Sequence, residues 1–292
     1  MLPVLFRIGD FPVTSFGLMM FLSFLIGAWI WGRQLERYGL DKALAWDMLA
    51  WIAIGGIIGA KAYYLALHWS DVVASPLEQI FSRGGLVWYG GLIGGVTAYW
   101  LQIRSRKLPL GVMFDATAPA LLLGHAVGRL GCFLVGDDYG LPTDSWVGIA
   151  FPNGSPPSTA GYFRSIGVEI PAGIADTAVL AVHPTQLYEI GLALMLFVFV
   201  WRMGARRLHQ GQLFSLYLGL YGIARFGIEI VRAKSDRIVA GLSTSQLMSV
   251  LLIVMGIALW YRQQRAPLSP TPSEPLAEKT PKKAKAHVAR RA

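Results

Sequence analysis

The chain has 292 residues, of which 54% are hydrophobic and only 15% charged, and it carries a formal net charge of +9. With its positive mean hydropathy, this balance excludes an ordinary water-soluble domain and marks a polytopic membrane protein. Most of the positive excess sits in short loops between apolar runs and in the tail, which is the pattern that orients membrane proteins, so nucleic acid is set aside as a partner. A single cysteine excludes an intramolecular disulfide and a cysteine-based metal cluster, and no other metal-ligand spacing occurs; neither metal nor cofactor is expected.

The first fifteen residues carry Pro3, Arg7, Asp10 and Pro12 and lack both a basic n-region and a small-residue cleavage site, so no signal peptide is expected. Apolar runs near the length needed to cross a bilayer fall at about 16–32, 46–67, 86–103, 110–131, 184–203, 213–232 and 242–261, which predicts seven spans. Arg33, Arg37 and Lys42, then Arg104, Arg106 and Lys107, then Arg202, Arg206 and Arg207 and the basic tail all fall on one side, which the positive-inside rule makes cytoplasmic. The N-terminus is then outside and the C-terminus inside. The expected architecture is an all-α integral membrane protein: a polytopic domain over 1–263, with an insert at about 132–183 forming a small extracytoplasmic cap, and a disordered basic cytoplasmic tail over 264–292. Arg232, Lys234 and Arg237 break the charge rule and imply a task on the outer face.

Along the chain, the second and third spans carry matching small-residue patterns, Gly55-Gly56-Ile57-Ile58-Gly59-Ala60 and Gly90-Gly91-Leu92-Ile93-Gly94-Gly95, suited to close helix packing. The glycine-rich third span is marginal by hydropathy. Lys61, within the second span, needs a partner. The stretch 128–140 places Arg129 at the end of an apolar helix and continues into a loop with Gly131, Gly136, Asp137, Asp138 and Gly140, a charged site at a membrane edge. The insert contains a strand-like run at 146–151. The fifth span opens His183-Pro184-Thr185-Gln186-Leu187-Tyr188-Glu189, with proline at the first helical position and polar groups in the opening turns, available either as caps or as hydrogen-bonding partners of a polar ligand. In the sixth, Tyr221, Arg225, Glu229 and Arg232 fall on one helical face. Arg225 and Glu229 can simply neutralise each other. Guanidiniums near lipid headgroups are also suited to bidentate grip on a phosphodiester, and the separate Arg129 favours that reading.

Together and in this order, these motifs resemble the prolipoprotein diacylglyceryl transferase family from about 16 to 261. The matching residues are Gly17-Leu18-Met19, the glycines at 90–95, Gly128-Arg129-Leu130-Gly131 with Phe133, Gly136 and Gly140, the run from His183 to Glu189, Tyr221 with Arg225 and Glu229, and Gly241-Leu242-Ser243 with Gln246. The resemblance implies a multi-pass enzyme of the bacterial cytoplasmic (inner) membrane. It implies transfer of the diacylglyceryl group of phosphatidylglycerol to the lipobox cysteine of prolipoprotein signal peptides, with loss of glycerol phosphate. By position it makes Arg129 and Arg225 the phosphate-binding arginines. Asp137, Gly140, Tyr188, Tyr221, Glu229, Arg232, Gly90 and Gly91 join them as substrate-binding candidates.

Three positions depart from the family's better-known pattern: Tyr89 replaces a histidine before Gly90-Gly91, Cys132 replaces an asparagine, and Phe16 replaces a tyrosine before Gly17-Leu18-Met19. The proposed histidine base is therefore missing. Tyr89 is a hydrogen-bonding stand-in or an interfacial aromatic, and a phenol of ordinary pKa near 10 is a poor base. His183 and His125 are the other candidate bases; Cys132 is a nucleophile or a buried filler. Three readings remain open at this level: a working transferase, a relative that binds phospholipid without transfer, and a lipid transporter, the last lacking an internal repeat.

Overall fold

In the computed structural model, which describes residues 1–9, 11–82, 85–233, 237–239 and 241–270, the chain opens with a hairpin of β1 (Val4–Ile8) and β2 (Phe11–Thr14). Thr14 then caps α1 (Ser15–Arg37), its hydroxyl accepting the Gly17 N–H at 3.1 Å. α2 (Ala43–Leu67) follows, and two one-and-a-half-turn helices, α3 (Trp69–Ala74) and α4 (Pro76–Phe81), lead to α5 (Trp88–Ser105). α6 (Leu110–Val135) is the central helix. It stops where Gly136 takes up the left-handed conformation at φ +77°, which satisfies the Cys132 carbonyl with a 2.8 Å bond. Beyond it come β3 (Ile149–Ala150), α7 (Ala160–Ser165), β4 (Ala181–Val182), α8 (Thr185–Met203), α9 (Gln212–Ile230), β5 (Arg237–Val239), β6 (Leu242–Ser243) and α10 (Thr244–Gln263). Among the described residues the strands pair only as short antiparallel couples, β1 with β2, β3 with β4 and β5 with β6, so the fold is helical.

Among the described residues, six helices, α1, α2, α6, α8, α9 and α10, are long and apolar enough to cross a membrane. The expected third span, α5, is a continuous helix of 18 residues but falls outside the six: its four glycines, Thr97, Gln102 and Arg104 dilute its hydropathy. It lies along α2 through the predicted glycines. A Cβ at Gly55 would come 2.9 Å from the Gly94 carbonyl oxygen, and one at Gly59, Gly90 or Gly94 would overlap the facing backbone. Gly90 and Gly91 are therefore where two helix backbones meet. Lys61 donates to the carbonyl and hydroxyl of Ser82, at 3.1 and 2.9 Å, and so ties α2 to the end of α4.

α6 packs on α1, α8 and α9, while α10 covers α9. One reason α6 holds the bundle together is Asp115, fully buried near its start, which the sequence reading passed over. Its carboxylate accepts the N–H groups of Gly211 at 2.6 Å and Phe214 at 2.8 Å, capping α9 from a neighbouring helix. α10 caps itself: Ser243 and Gln246 form a reciprocal capping box.

The insert begins after Val135 and not at 132, and it has its own small core of Tyr139, Phe151, Phe163 and Val182. Tyr139 stacks on Phe151 at 5.3 Å and its hydroxyl donates to the Pro156 carbonyl at 2.9 Å. The strand-like run shortens to β3, paired with β4. Of the segment expected to form a disordered tail, residues up to 270 pack back on the α8–α9 turn through Gln210 N–H to Pro267 O at 3.0 Å and Ser269 N–H to Leu208 O at 2.8 Å. The rest of that segment, 271–292, lies outside the described residues.

Replacing Asp115 by alanine leaves the first amides of α9 without acceptors inside the bundle. The expected loss is about 2 kcal/mol, with Asp115→Asn intermediate because its amide oxygen still accepts. The thermal midpoint of the detergent-solubilised protein checks this; equal midpoints for all three would refute the capping role.

Candidate active site

Three helices and two loops converge at the end of the bundle where α6 stops. On α6, His125 and Arg129 are one turn apart and share a face, with Cys132 three residues further on. α8 contributes Glu189, and α9 contributes Tyr221, Arg225 and Glu229. The loop after α6 brings Asp137 and Asp138, the latter in the left-handed region at φ +57°. That loop is stapled to the opening of α8: Thr185 Oγ1 donates to the Asp138 carbonyl at 2.7 Å, and Gln186 Nε2 donates to the Asp137 carbonyl at 2.5 Å. Gly140 N–H reaches the His183 carbonyl at 2.8 Å, and a side chain at Gly140 would collide with His183, Thr185 and the Val231 carbonyl. Pro184 serves as the cap residue, one position earlier than expected, with Thr185 the first helical residue.

The centre is an ion-pair chain. Arg129 sets its Nε 2.8 Å from Glu189 Oε2 and its Nη1 2.9 Å from Asp138 Oδ2. Asp138 holds Arg232 with its other oxygen. Glu189 Oε2 also meets His125 Nε2 at 3.1 Å. On α9, Arg225 pairs with Glu229 at 2.7 Å and donates to Ser245 Oγ at 3.2 Å, while Ser243 donates to Glu229 at 3.0 Å. So the two groups that sequence reasoning allowed to neutralise each other do form a pair. Arg232 is not on the face of α9: the helix ends at Ile230, and Arg232 sits in a backbone bridge with Gly140, buried, where its charge meets Asp138. Of the other two charges that broke the orientation rule, Lys234 lies outside the described residues and Arg237 falls in β5.

Among the described residues, two buried guanidinium nitrogens, Arg225 Nη1 and Arg232 Nε, have no hydrogen-bond acceptor. Leaving donors of a charged group unsatisfied is costly, and an oxyanion is the ligand whose acceptors match them. Cys132 Sγ and the carboxylates of Asp137 and Asp138 lie within 4.8 Å of one another, yet both oxygens of Asp138 are engaged by arginines and Arg129 Nη1 is 3.7 Å from the thiol. Burial alone would raise the Asp138 carboxyl, but Arg232 and then Arg129 outweigh it and hold it down at about 2; burial pushes Asp137 up. Beside this chain a small, partly open cleft lies between α6, α8 and α9, lined by His125, Glu189, Tyr221 and Arg225 with Leu192 and Leu196.

The family model described as prolipoprotein diacylglyceryl transferase matches residues 3–262. The chain belongs to that family. It is similar to proteins named phosphatidylglycerol–prolipoprotein diacylglyceryl transferase from Neisseria meningitidis serogroup C, at 34% identity over 89% of this chain and 95% of the relative, and from Gloeobacter violaceus, at 30% over 90% and 94%. A relative of the same name from Clostridium tetani is 29% identical over 88% and 96%.

Of the candidates named from the family resemblance, Arg129, Arg225, Arg232, Tyr221, Glu229 and Asp137 are brought together. His183 and Tyr188 lie at the opening of α8, bonded to each other at 3.1 Å, and neither lines the cleft. Tyr89 is half exposed on α5, edge-on to Trp88, and α5 packs against α2 and not beside the arginine-bearing parts of α6, α8 and α9. Phe16, the other aromatic departure from the family, lies at the start of α1 against Gly131. Sequence reasoning left Asp138 and Glu189 out of the candidate set. Each carried a signal: Asp138 adjoins a chosen residue, and Glu189 is a carboxylate one turn into an apolar helix, which demands a partner.

Because the Asp138 carboxyl sits below its ordinary value of 3.8, the stability it contributes is fully present above that value and is lost as the pH falls toward 2. Wild type is therefore expected to exceed Asp138→Asn in thermal midpoint by a constant margin from pH 7 down to about 4, with the margin closing below that. A margin that already closes between pH 7 and 5 would contradict the double arginine pairing.

Proposed function

We propose that the protein transfers the diacylglyceryl group of phosphatidylglycerol to the lipobox cysteine thiol of prolipoprotein signal peptides, forming a thioether and releasing glycerol phosphate. The observation that carries this is the gathering of Arg129, Arg225 and Arg232 at one end of the bundle, two of them with unsatisfied nitrogens, in a chain of this family. The protein resides in the bacterial cytoplasmic membrane with its N-terminus outside, and the insert covers the outer end of the site.

In the reaction the thiol sulfur attacks the glycerol carbon that bears the phosphate, and the C–O bond breaks. The leaving phosphate gains a charge, and fixed guanidiniums in a low-dielectric site are the groups that stabilise it. Arg129 and Arg225 grip the phosphate. Glu189, Asp138 and Glu229 hold those guanidiniums in place so that little reorganisation accompanies the step. Tyr221 and the apolar walls of Leu192 and Leu196 shape the adjoining cleft.

A second reading, lipid binding without transfer, draws on the absence of histidine at Tyr89. Incubation of the purified protein with phosphatidylglycerol and a lipobox peptide, read by mass spectrometry, separates the two. The expected result is a diacylglyceryl adduct on the cysteine, falling at least about 100-fold in Arg129→Ala and in Arg225→Ala while both variants stay folded. Undiminished transfer in both would sink the arginine mechanism; saturable lipid binding with no adduct in wild type would establish the second reading.

A further inference from the structure

The proposed transfer requires a thiolate, and at pH 7 a free thiol of ordinary pKa near 8.5 is only about 3% ionised. The expected family base is replaced by Tyr89, a phenol on α5, which packs on α2. His183 is engaged with Tyr188 behind Gly140. Resting on the transferase reading, we infer that His125 is the general base of this enzyme, accepting the substrate thiol proton on its Nδ1.

The ring's hydrogen bonding dictates the tautomer. Glu189 Oε2 faces His125 Nε2 at 3.1 Å and is also held by Arg129 Nε at 2.8 Å. A carboxylate flanked in this way only accepts, so the histidine nitrogen toward it carries the hydrogen and Nδ1 keeps the lone pair. Tyr221 meets the ring edge-on at 5.5 Å and 87°, restricting its plane. The side chain is 24% exposed and lines the same cleft as Arg225. One turn along α6, Arg129 brings the phosphate-binding guanidinium to the same carboxylate. Glu189 thus orients the base and stabilises the imidazolium once formed, as well as holding the arginine. The charged and titratable groups facing His125 are Arg129 on its own helix, Glu189 on α8, and Tyr221 and Arg225 on α9. Asp138 approaches through Arg129.

The step balances. The S–H bond breaks and its proton passes to Nδ1. The sulfur forms the C–S bond as the C–O bond breaks, and that electron pair leaves on the phosphate oxygen held by Arg129 and Arg225. The imidazolium then gives its proton to the released phosphate monoester, whose second pKa near 6 makes it a suitable acceptor.

The test is the pH dependence of kcat in His125→Gln, whose amide keeps a donor to Glu189 but offers no base. Relative to wild type, kcat with phosphatidylglycerol and a lipobox peptide is expected to fall roughly 30-fold at pH 7, the factor set by the thiolate fraction, and the deficit is expected to close to under about 3-fold by pH 9.5, where the thiol ionises unaided. KM for phosphatidylglycerol stays within about 3-fold, and His125→Asn behaves alike. Equal activity at all pH values, or a deficit that does not change with pH, overturns the assignment, as does a pH-dependent deficit in His183→Gln with none in His125→Gln. Loss of saturable lipid binding in both His125 variants makes the residue a structural support and overturns it too. Failure of wild type to transfer at any pH is distinct, and removes the transferase reading on which the inference stands.

Discussion

The pairing of Arg129 with two carboxylates from two other parts of the chain is the constraint on which the rest of this structure depends. A guanidinium within an apolar helix costs a few kcal/mol unless it is solvated or paired. Here Glu189 comes from α8 and Asp138 from the loop after α6, so satisfying one charge positions a helix and a loop at once. Asp138 passes the constraint on to Arg232, and through the bridge of Arg232 with Gly140 to the exit of α9. The same contacts that neutralise Arg129 therefore close the end of the bundle and set the spacing of the guanidinium groups.

α6 makes this possible by carrying charges toward both of its ends. Asp115 caps α9 near one end, and Arg129 gathers α8 and the loop near the other, about 21 Å apart by helical rise. Neither α8 nor α9 can slide along α6 without breaking buried hydrogen bonds to charged groups, which are among the stronger ones available. α2 and α5 are held differently, by glycine backbones in contact. That difference in glue divides the molecule into a charged, registered half bearing the site and a close-packed half without it.

The departures from the family pattern fall across this division. Tyr89 lies in the glycine-packed half, while Cys132 sits beside Arg129 at 3.7 Å. A histidine lost in one half and a histidine present at 125 in the other are both compatible with one reaction, because the chemistry asks for a base near the phosphate grip and not for a base on a particular helix. Glu189 is the residue that lets the two needs share a centre.

Helix placement was legible in the sequence because hydropathy and length act locally: each predicted span became a helix, and the glycines at 55–59 and 90–94 announced their own packing. Arg129 and Arg225 were legible for a similar reason, since a charge in an apolar run stands out. The sequence could not say which carboxylate meets which arginine. Glu229 is four residues from Arg225 and their pairing could be read from helical spacing, but Glu189 is sixty residues from Arg129, and Asp138 meets Arg232 only because α9 ends before that residue. Asp115 escaped notice because its partners are backbone amides of a distant helix. What the sequence determined by itself was a helical membrane protein with arginines in costly places, because transfer out of water acts residue by residue. What the tertiary structure decided was how those costs are met, because ion pairs and caps depend on distances between elements remote along the chain.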